Sequence, residues 1–218
     1  MAPMKRTATT STTITAILGL IAVMLIILLP APRPAGARST NPPTKTTGAP
    51  GENTCIQCHN DFSENDGVGS ITLTGLPASY TPGNTYTLGI SEARTGSTVW
   101  GFETTALNSG GTAAGTLTDT NVYVGKQIAS SKQYIGQTTS KGSDGTFAGQ
   151  ADAAAWTFSW TAPSAGAGTV TFYFAGIAGD NLGDTAGDYA YISSVSSTEG
   201  PTTDVEATTW GKIKLRYR

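Results

Sequence analysis

The chain has 218 residues, of which 38% are hydrophobic and 13% are charged, and its formal net charge is −2. The length is sufficient for one large β domain or two small ones with a sizeable core, and the charged share is about half that of an ordinary globular protein. This composition indicates a secreted, polar but weakly charged β protein, and the shortage of lysine and arginine argues against a nucleic-acid partner.

The first 37 residues have the pattern of a secretory signal peptide. Lys5 and Arg6 precede an apolar run at 14–29, which is shorter than the roughly 20 residues that a spanning helix needs. Small residues at 35–37 fit cleavage after Ala37, and the alternative is an uncleaved N-terminal anchor. Cleavage would leave 10 basic and 15 acidic residues, a net charge of −5. Either way the sequence predicts an exported protein, in the periplasm, at the cell surface or outside the cell.

The next segment, 38–54, contains three prolines and no apolar periodicity. Such a composition predicts an extended linker without regular structure. We expect it to act as a tether between the export segment and the folded domain.

The pentapeptide CIQCH, at 55–59, contains both cysteines and the only histidine of the chain. Covalent haem attachment requires two thiols for the haem vinyl groups and an adjacent imidazole for the iron, which is the arrangement that Cys-x-x-Cys-His supplies. The motif predicts a haem-binding segment at 55–69, with haem c bound through Cys55 and Cys58. His59 would be the proximal iron ligand.

Three other interpretations of the same residues remain open. A Cys55–Cys58 disulfide is permitted in an oxidising compartment, although so short a loop constrains little of the unfolded chain. A zinc site would need a fourth ligand such as Asp61, Glu64 or Asp66. A thioredoxin-like dithiol lacks the βαβ pattern that usually surrounds one.

From residue 70 onward the apolar period is two, which is typical of β-strands. Turns rich in glycine, proline, asparagine and aspartate separate the apolar segments, and no segment shows helical spacing. The predicted strands lie at 71–74, 85–90, 97–107, 121–125, 133–139, 155–163, 168–179, 187–195 and 210–218.

The strands predict one all-β domain at 70–218, an immunoglobulin-like antiparallel β-sandwich of about eight or nine strands. Aromatic and aliphatic side chains recur on one face of two strands, and we expect them to form the core between the sheets. They are Trp156, Phe158 and Trp160 on one strand and Val170, Phe172 and Phe174 on the next.

The acidic segment that follows the predicted strand 168–179 carries Asp180, Asn181, Asp184 and Asp188. Its oxygens could be presented to Ca²⁺, but the twelve-residue spacing and closing glutamate of a calcium loop are absent. Turn formation explains these residues as well. No nucleophile, base and acid set is available, because the single histidine belongs to CIQCH, so we do not expect a hydrolase.

Six segments of the sequence, taken in order, resemble the bacterial reelin-like (Reeler) domains, also described as choice-of-anchor domain proteins. The segments are GAPGENTCIQCH, YTPGNTYTL, WGFETTAL, WTFSWTAP, GTVTFYFAGIAGDN and GDYAYISS. The resemblance runs from about residue 48 to 218 and implies an immunoglobulin-like sandwich outside the cytoplasm. It implies no settled activity. Unlike longer members of that family, the chain is expected to have no C-terminal membrane anchor after Arg218.

We therefore expect an exported monohaem c-type cytochrome that transfers electrons or binds a small ligand. Its partner would be a redox protein or a second copy that associates through the haem segment. The alternative is an extracellular reelin-like adhesion module with a local disulfide and no haem. Because all three methionines precede residue 25, the distal haem ligand stays unassigned, with Lys45, a tyrosine, the new amino group near Arg38 or a second molecule as candidates.

Overall fold

The computed structural model describes residues 38–201, so the predicted signal peptide and the predicted strand at 210–218 lie outside the described residues. Ten strands form within the described range. They are β1 (Ser70–Thr74), β2 (Ser79–Tyr80), β3 (Thr85–Ala93), β4 (Val99–Asn108), β5 (Thr116–Thr118), β6 (Val124–Ala129), β7 (Lys132–Gln137), β8 (Ala153–Thr161), β9 (Val170–Gly179) and β10 (Tyr189–Glu199).

The strands form two sheets, which confirms the predicted all-β sandwich. One sheet has the order β1-β3-β8-β5, and the other has the order β2-β10-β9-β4-β7-β6. Every pairing is antiparallel except that of β2 with β10, which is parallel. The strand count exceeds the expected eight or nine because β2 and β5 have only two and three residues, too few to show a period of two.

The core between the sheets consists largely of the aromatic residues that the strand pattern placed there. Trp156, Phe158 and Trp160 of β8 are at most 2% exposed, and Phe172 and Phe174 of β9 at most 1%. The indole nitrogens of Trp156 and Trp160 donate to backbone oxygens of Gly145 and Ala114 at 2.7 and 2.9 Å. The buried indole N–H groups of these two residues therefore have hydrogen-bond acceptors.

Residues 38–54 have no regular secondary structure, but they are packed against the sandwich and do not form a free tether. The expectation of a tether was wrong, because the outer face of the six-stranded sheet carries polar side chains to which this segment donates hydrogen bonds. Thr46 donates to Glu103 of β4 through its backbone nitrogen at 2.8 Å and its hydroxyl at 3.0 Å. Close approach is possible because Gly136 of β7 lacks a side chain: a Cβ there would lie 2.5 Å from Pro42.

A second anchor of this segment is Glu52, which accepts from Lys132 Nζ at 2.9 Å and from the Tyr134 hydroxyl at 2.7 Å. Burial alone would raise the pKa of Glu52, but the hydrogen bonds from Lys132, Tyr134 and Thr47 lower it below its ordinary value. The segment is thereby fixed on β7 by a charge-assisted network.

Over residues 38–201, no helix is long and apolar enough to cross a membrane. The only helical element in that range is a single 3-10 turn, Cys55–Gln57.

Candidate functional site

The CIQCH pentapeptide lies on the six-stranded sheet, where its 3-10 turn contacts β9 and β10. Backbone nitrogens of Cys58 and His59 both donate to the Cys55 carbonyl, at 3.2 and 3.1 Å. This tight turn brings the three chemically active side chains of the motif to one place. The motif is therefore packed on the domain, with its three residues grouped as haem attachment requires.

His59 is paired with Asp188, the residue that immediately precedes β10. Its Nδ1 lies 2.6 Å from Asp188 Oδ2, and the exposed fractions of the two side chains are 16% and 5%. The other oxygen of Asp188 accepts from the Asp180 backbone nitrogen at 3.3 Å. Sequence reasoning assigned Asp188 only to a turn or a calcium loop. It missed this pair because 129 positions separate the two residues.

Both cysteines and His59 line one cleft of about 670 Å³, together with Asp188 and, from β4, Trp100 and Phe102. We call it the CIQCH cleft. Its volume falls within the range of about 300–1,000 Å³ that is usual for small-molecule and cofactor sites. A second recess lies between 38–44 and Gln127 and has no thiol, imidazole or carboxylate in its lining.

The two thiols are free in this structure. Burial raises the pKa of the Cys55 thiol, and the nearby carboxyl groups of Glu92 and Glu103 raise it further. A thiol in such surroundings stays protonated at neutral pH and is a poor thiolate nucleophile or metal ligand. This argues against both a redox dithiol and a zinc thiolate.

Two buried glutamates near the motif were not singled out from the sequence. Glu103 is fully buried on β4, and burial raises its pKa to about 8 although Thr46 hydrogen bonds oppose the shift. Glu92 of β3 is also fully buried, neither of its carboxylate oxygens has a partner in the described part of the chain, and burial raises its pKa well above the ordinary value. Both acids are therefore held in the neutral form near neutral pH.

The alternative metal sites are not assembled among residues 38–201, where no group of three or more histidine, cysteine, aspartate or glutamate side chains is placed to hold a metal ion. Asp61 instead accepts from the Gly187 nitrogen at 2.9 Å, and Glu64 accepts from the Thr54 hydroxyl. Asp180 and Asp184 accept from the nitrogens two residues ahead, at 2.9 and 3.0 Å. These acids form turns and tethers.

The structure also separates the candidates for the distal position. Arg38, the expected start of the processed chain, lines the CIQCH cleft. Lys45 is exposed and is not among the residues that line the cleft.

No protein-family model and no curated protein matches the chain. Among solved structures, a human F-spondin reeler domain fragment is similar with 19% identity, a TM-score of 0.42, and coverage of 63% of this chain and 93% of that one. The Reelin-N domain of F-spondin has 20% identity, a TM-score of 0.43, and coverage of 64% and 91%. The full-length major pilin SpaD from Corynebacterium diphtheriae has 12% identity, a TM-score of 0.38, and coverage of 60% and 35%. Similarity at these levels assigns neither a family nor an activity to the chain.

Proposed function

We propose that this protein is exported and binds one haem covalently through Cys55 and Cys58, with His59 as the proximal iron ligand. The observation that carries the proposal is the pairing of His59 Nδ1 with Asp188 at 2.6 Å. It leaves Nε2 as the ring nitrogen available to a metal, in the same cleft that both free thiols line. The proposal depends on this site alone, since none of the solved structures named above is described as a haem protein.

The cleft and the donor set both fit the group. Its volume falls in the range of cofactor sites, and Pro42, Val99 and Ile177, which are partly exposed, supply apolar surface of the kind that such sites use. A c-type haem takes only one ligand atom for iron from the motif, so it does not require the three-ligand cluster that a bare metal ion would need. Bound there, haem would supply an iron centre for single-electron transfer or for binding of small ligands.

The residues of the chain have distinct roles in this proposal. Cys55 and Cys58 hold the cofactor, His59 binds the iron, and Asp188 orients the imidazole. Apart from His59, no histidine, methionine or lysine is found among the described residues that line the cleft. We therefore favour a haem whose distal side is accessible to a small ligand such as CO or NO.

Haem staining after denaturing electrophoresis tests the proposal directly. The full chain should be expressed with the cytochrome c maturation machinery, and its band should stain and gain the mass of one haem. Cys55→Ser/Cys58→Ser should lose the stain and keep the β signal in circular dichroism, because neither thiol belongs to the core cluster. An unstained wild-type band of unchanged mass would refute haem attachment.

A second candidate function is an extracellular interaction module without haem. It is favoured by the edge of the six-stranded sheet, where β6 is the last strand among residues 38–201 and Ile128 is 71% exposed. An open sheet edge with an exposed apolar side chain is a usual place for another chain to add a β-strand. The compared F-spondin structures are reeler domains, the class of domain that this candidate describes. A colourless wild-type protein would leave this candidate in place.

The proposed haem-binding function also implies an electron-transfer partner. A haem with an accessible edge exchanges electrons only when a second redox centre comes close, so we propose a redox protein or a second copy as the partner. Light scattering of the haem-loaded chain over a range of concentrations distinguishes them: concentration-dependent association supports a second copy, and a constant monomer mass rules it out.

A further inference from the structure

We propose that Asp188 is a positioning residue: it holds His59 in the tautomer that carries the proton on Nδ1, and thereby lowers the reduction potential of an iron bound at Nε2. The first half of this inference concerns the protein without haem. The second half rests on the proposed function.

The geometry indicates a built contact. Asp188 is 4% exposed, and its Oδ2 is the atom that meets His59 at 2.6 Å. Its Oδ1 lies against β9, where a Cβ at Gly179 would come within 2.6 Å of it. A side chain at Gly179 would therefore require the Asp188 carboxylate to shift.

A second hydrogen bond joins the same two segments in the opposite sense. Asp61, two residues after His59, accepts from the backbone nitrogen of Gly187, one residue before Asp188, at 2.9 Å. The segment 59–61 thus contributes an imidazole and a carboxylate, and the segment 187–188 contributes a carboxylate and a backbone nitrogen. The two contacts together fix the imidazole relative to the cleft, so its direction does not depend on a single rotamer.

The chemistry follows from the acceptor. An ionised carboxylate can only accept a hydrogen bond, so the neutral imidazole opposite it places its proton on Nδ1 and its lone pair on Nε2. A carboxylate that accepts this proton raises the basicity of the ligand nitrogen. A more basic axial ligand stabilises the oxidised iron more than the reduced iron, which lowers the reduction potential.

The first arm of the test uses the chain without haem. His59 is the only histidine, so ¹⁵N-labelled histidine in protein made without a polyhistidine tag gives signals from this residue alone. At the alkaline end of a pH series, the wild type should show the Nδ1–H tautomer, with that proton protected from exchange with solvent. An unprotected imidazole with the mixture of tautomers of a free histidine would overturn the inference without any variant.

Asp188→Asn extends this arm. Its amide can donate to Nδ1, so we expect the proton to move to Nε2. Asp184→Asn is the matched control, because Asp184 is exposed in the same loop and, among residues 38–201, its side chain accepts only from the Ala186 nitrogen. The control should keep the wild-type tautomer, and an unchanged tautomer in folded Asp188→Asn would contradict the role of Asp188.

The second arm uses the haem-loaded protein. Asp188→Asn should raise the midpoint reduction potential and lower the iron–histidine stretching frequency in the resonance Raman spectrum. Asp184→Asn removes the same charge from the lining of the cleft without changing the contact of His59, so it should leave the stretching frequency unchanged and raise the potential less. Equal potentials in all three proteins would overturn the second half of the inference. If the wild type takes up no haem, the proposed function fails, and the tautomer measurement still decides the first half.

Discussion

At the scale of single residues, the surroundings of the buried glutamates decide their charge. Asp188 is nearly buried but has a histidine partner, whereas Glu92 is fully buried without one. Glu103 is intermediate, since Thr46 satisfies one of its oxygens and the other has no partner among residues 38–201. Burial without a cation favours the neutral carboxyl. The folded state therefore loses stability when either glutamate loses its proton.

A pH dependence of stability follows for Glu103. Its pKa is about 8 when folded and near the ordinary 4.5 when unfolded, so the folded state holds the proton more tightly. Stability should therefore fall as pH rises from 4.5 through 8, by on the order of 3 kcal/mol from pH 5 to pH 8 at 1.36 kcal/mol per pKa unit. Glu103→Gln should reduce this slope in urea unfolding followed by circular dichroism.

Glu199→Gln is the control for that measurement. Hydrogen bonds from the Gly166 and Gly168 nitrogens lower the pKa of Glu199, so its contribution is lost only on acidification. It should leave the slope between pH 5 and pH 8 unchanged. The raised pKa of Glu92 makes stability fall with pH in the same direction as that of Glu103, so Glu103→Gln should keep part of the pH dependence. A pH dependence equal to that of the wild type would disprove the raised pKa of Glu103.

At the scale of elements, segment 38–54 is the part whose role differs most from its composition. It contains no strand, yet Thr46, Thr47 and Ala49 are buried against the outer face of the six-stranded sheet. Its last residues lead directly into the 3-10 turn at Cys55. The packing of this segment therefore positions the thiols relative to β9 and β10.

Removal of the Glu52 anchor should test that role. Glu52→Ala leaves Lys132 and the Tyr134 hydroxyl without their acceptor, and we expect a loss of about 1–3 kcal/mol in the free energy of unfolding. Asp119→Ala breaks the more exposed pair with Lys141 at 2.6 Å and should cost at most about 1 kcal/mol. Urea unfolding midpoints of both variants give the comparison, and equal losses would mean that the segment is not anchored through Glu52.

At the scale of the whole molecule, the sandwich presents one cleft that combines thiols, imidazole and apolar surface. The reactive groups come from a turn laid over β9 and β10. A rigid sheet thus supports a motif that lies outside the sheet, an arrangement suited to holding a cofactor without disturbing the core.

The accessibility of the distal side gives a prediction for the loaded protein. The reduced haem protein should bind CO promptly, with a shift of the Soret band that does not depend on protein concentration, because His59 is the only strong-field side chain in the described lining of the cleft. Binding only after dilution would indicate a ligand donated by a second copy. Refusal of CO at every concentration and at acidic pH would show a strong ligand from within the same chain.

The sequence by itself determined the β class, most strands, the composition of the aromatic core and the grouping of Cys55, Cys58 and His59. These depend on alternation and on spacing within a few residues, which are local properties.

Only the tertiary structure decided the packing of segment 38–54, the burial of Glu92 and Glu103, and the partner of His59. Each depends on contacts between parts of the chain that are far apart in sequence: Thr46 meets Glu103 across 57 positions, and His59 meets Asp188 across 129. The order of strands brings β9 and β10 under the 3-10 turn. Without that order, a polar segment with prolines looks like a linker, and an aspartate before a strand looks like part of a turn.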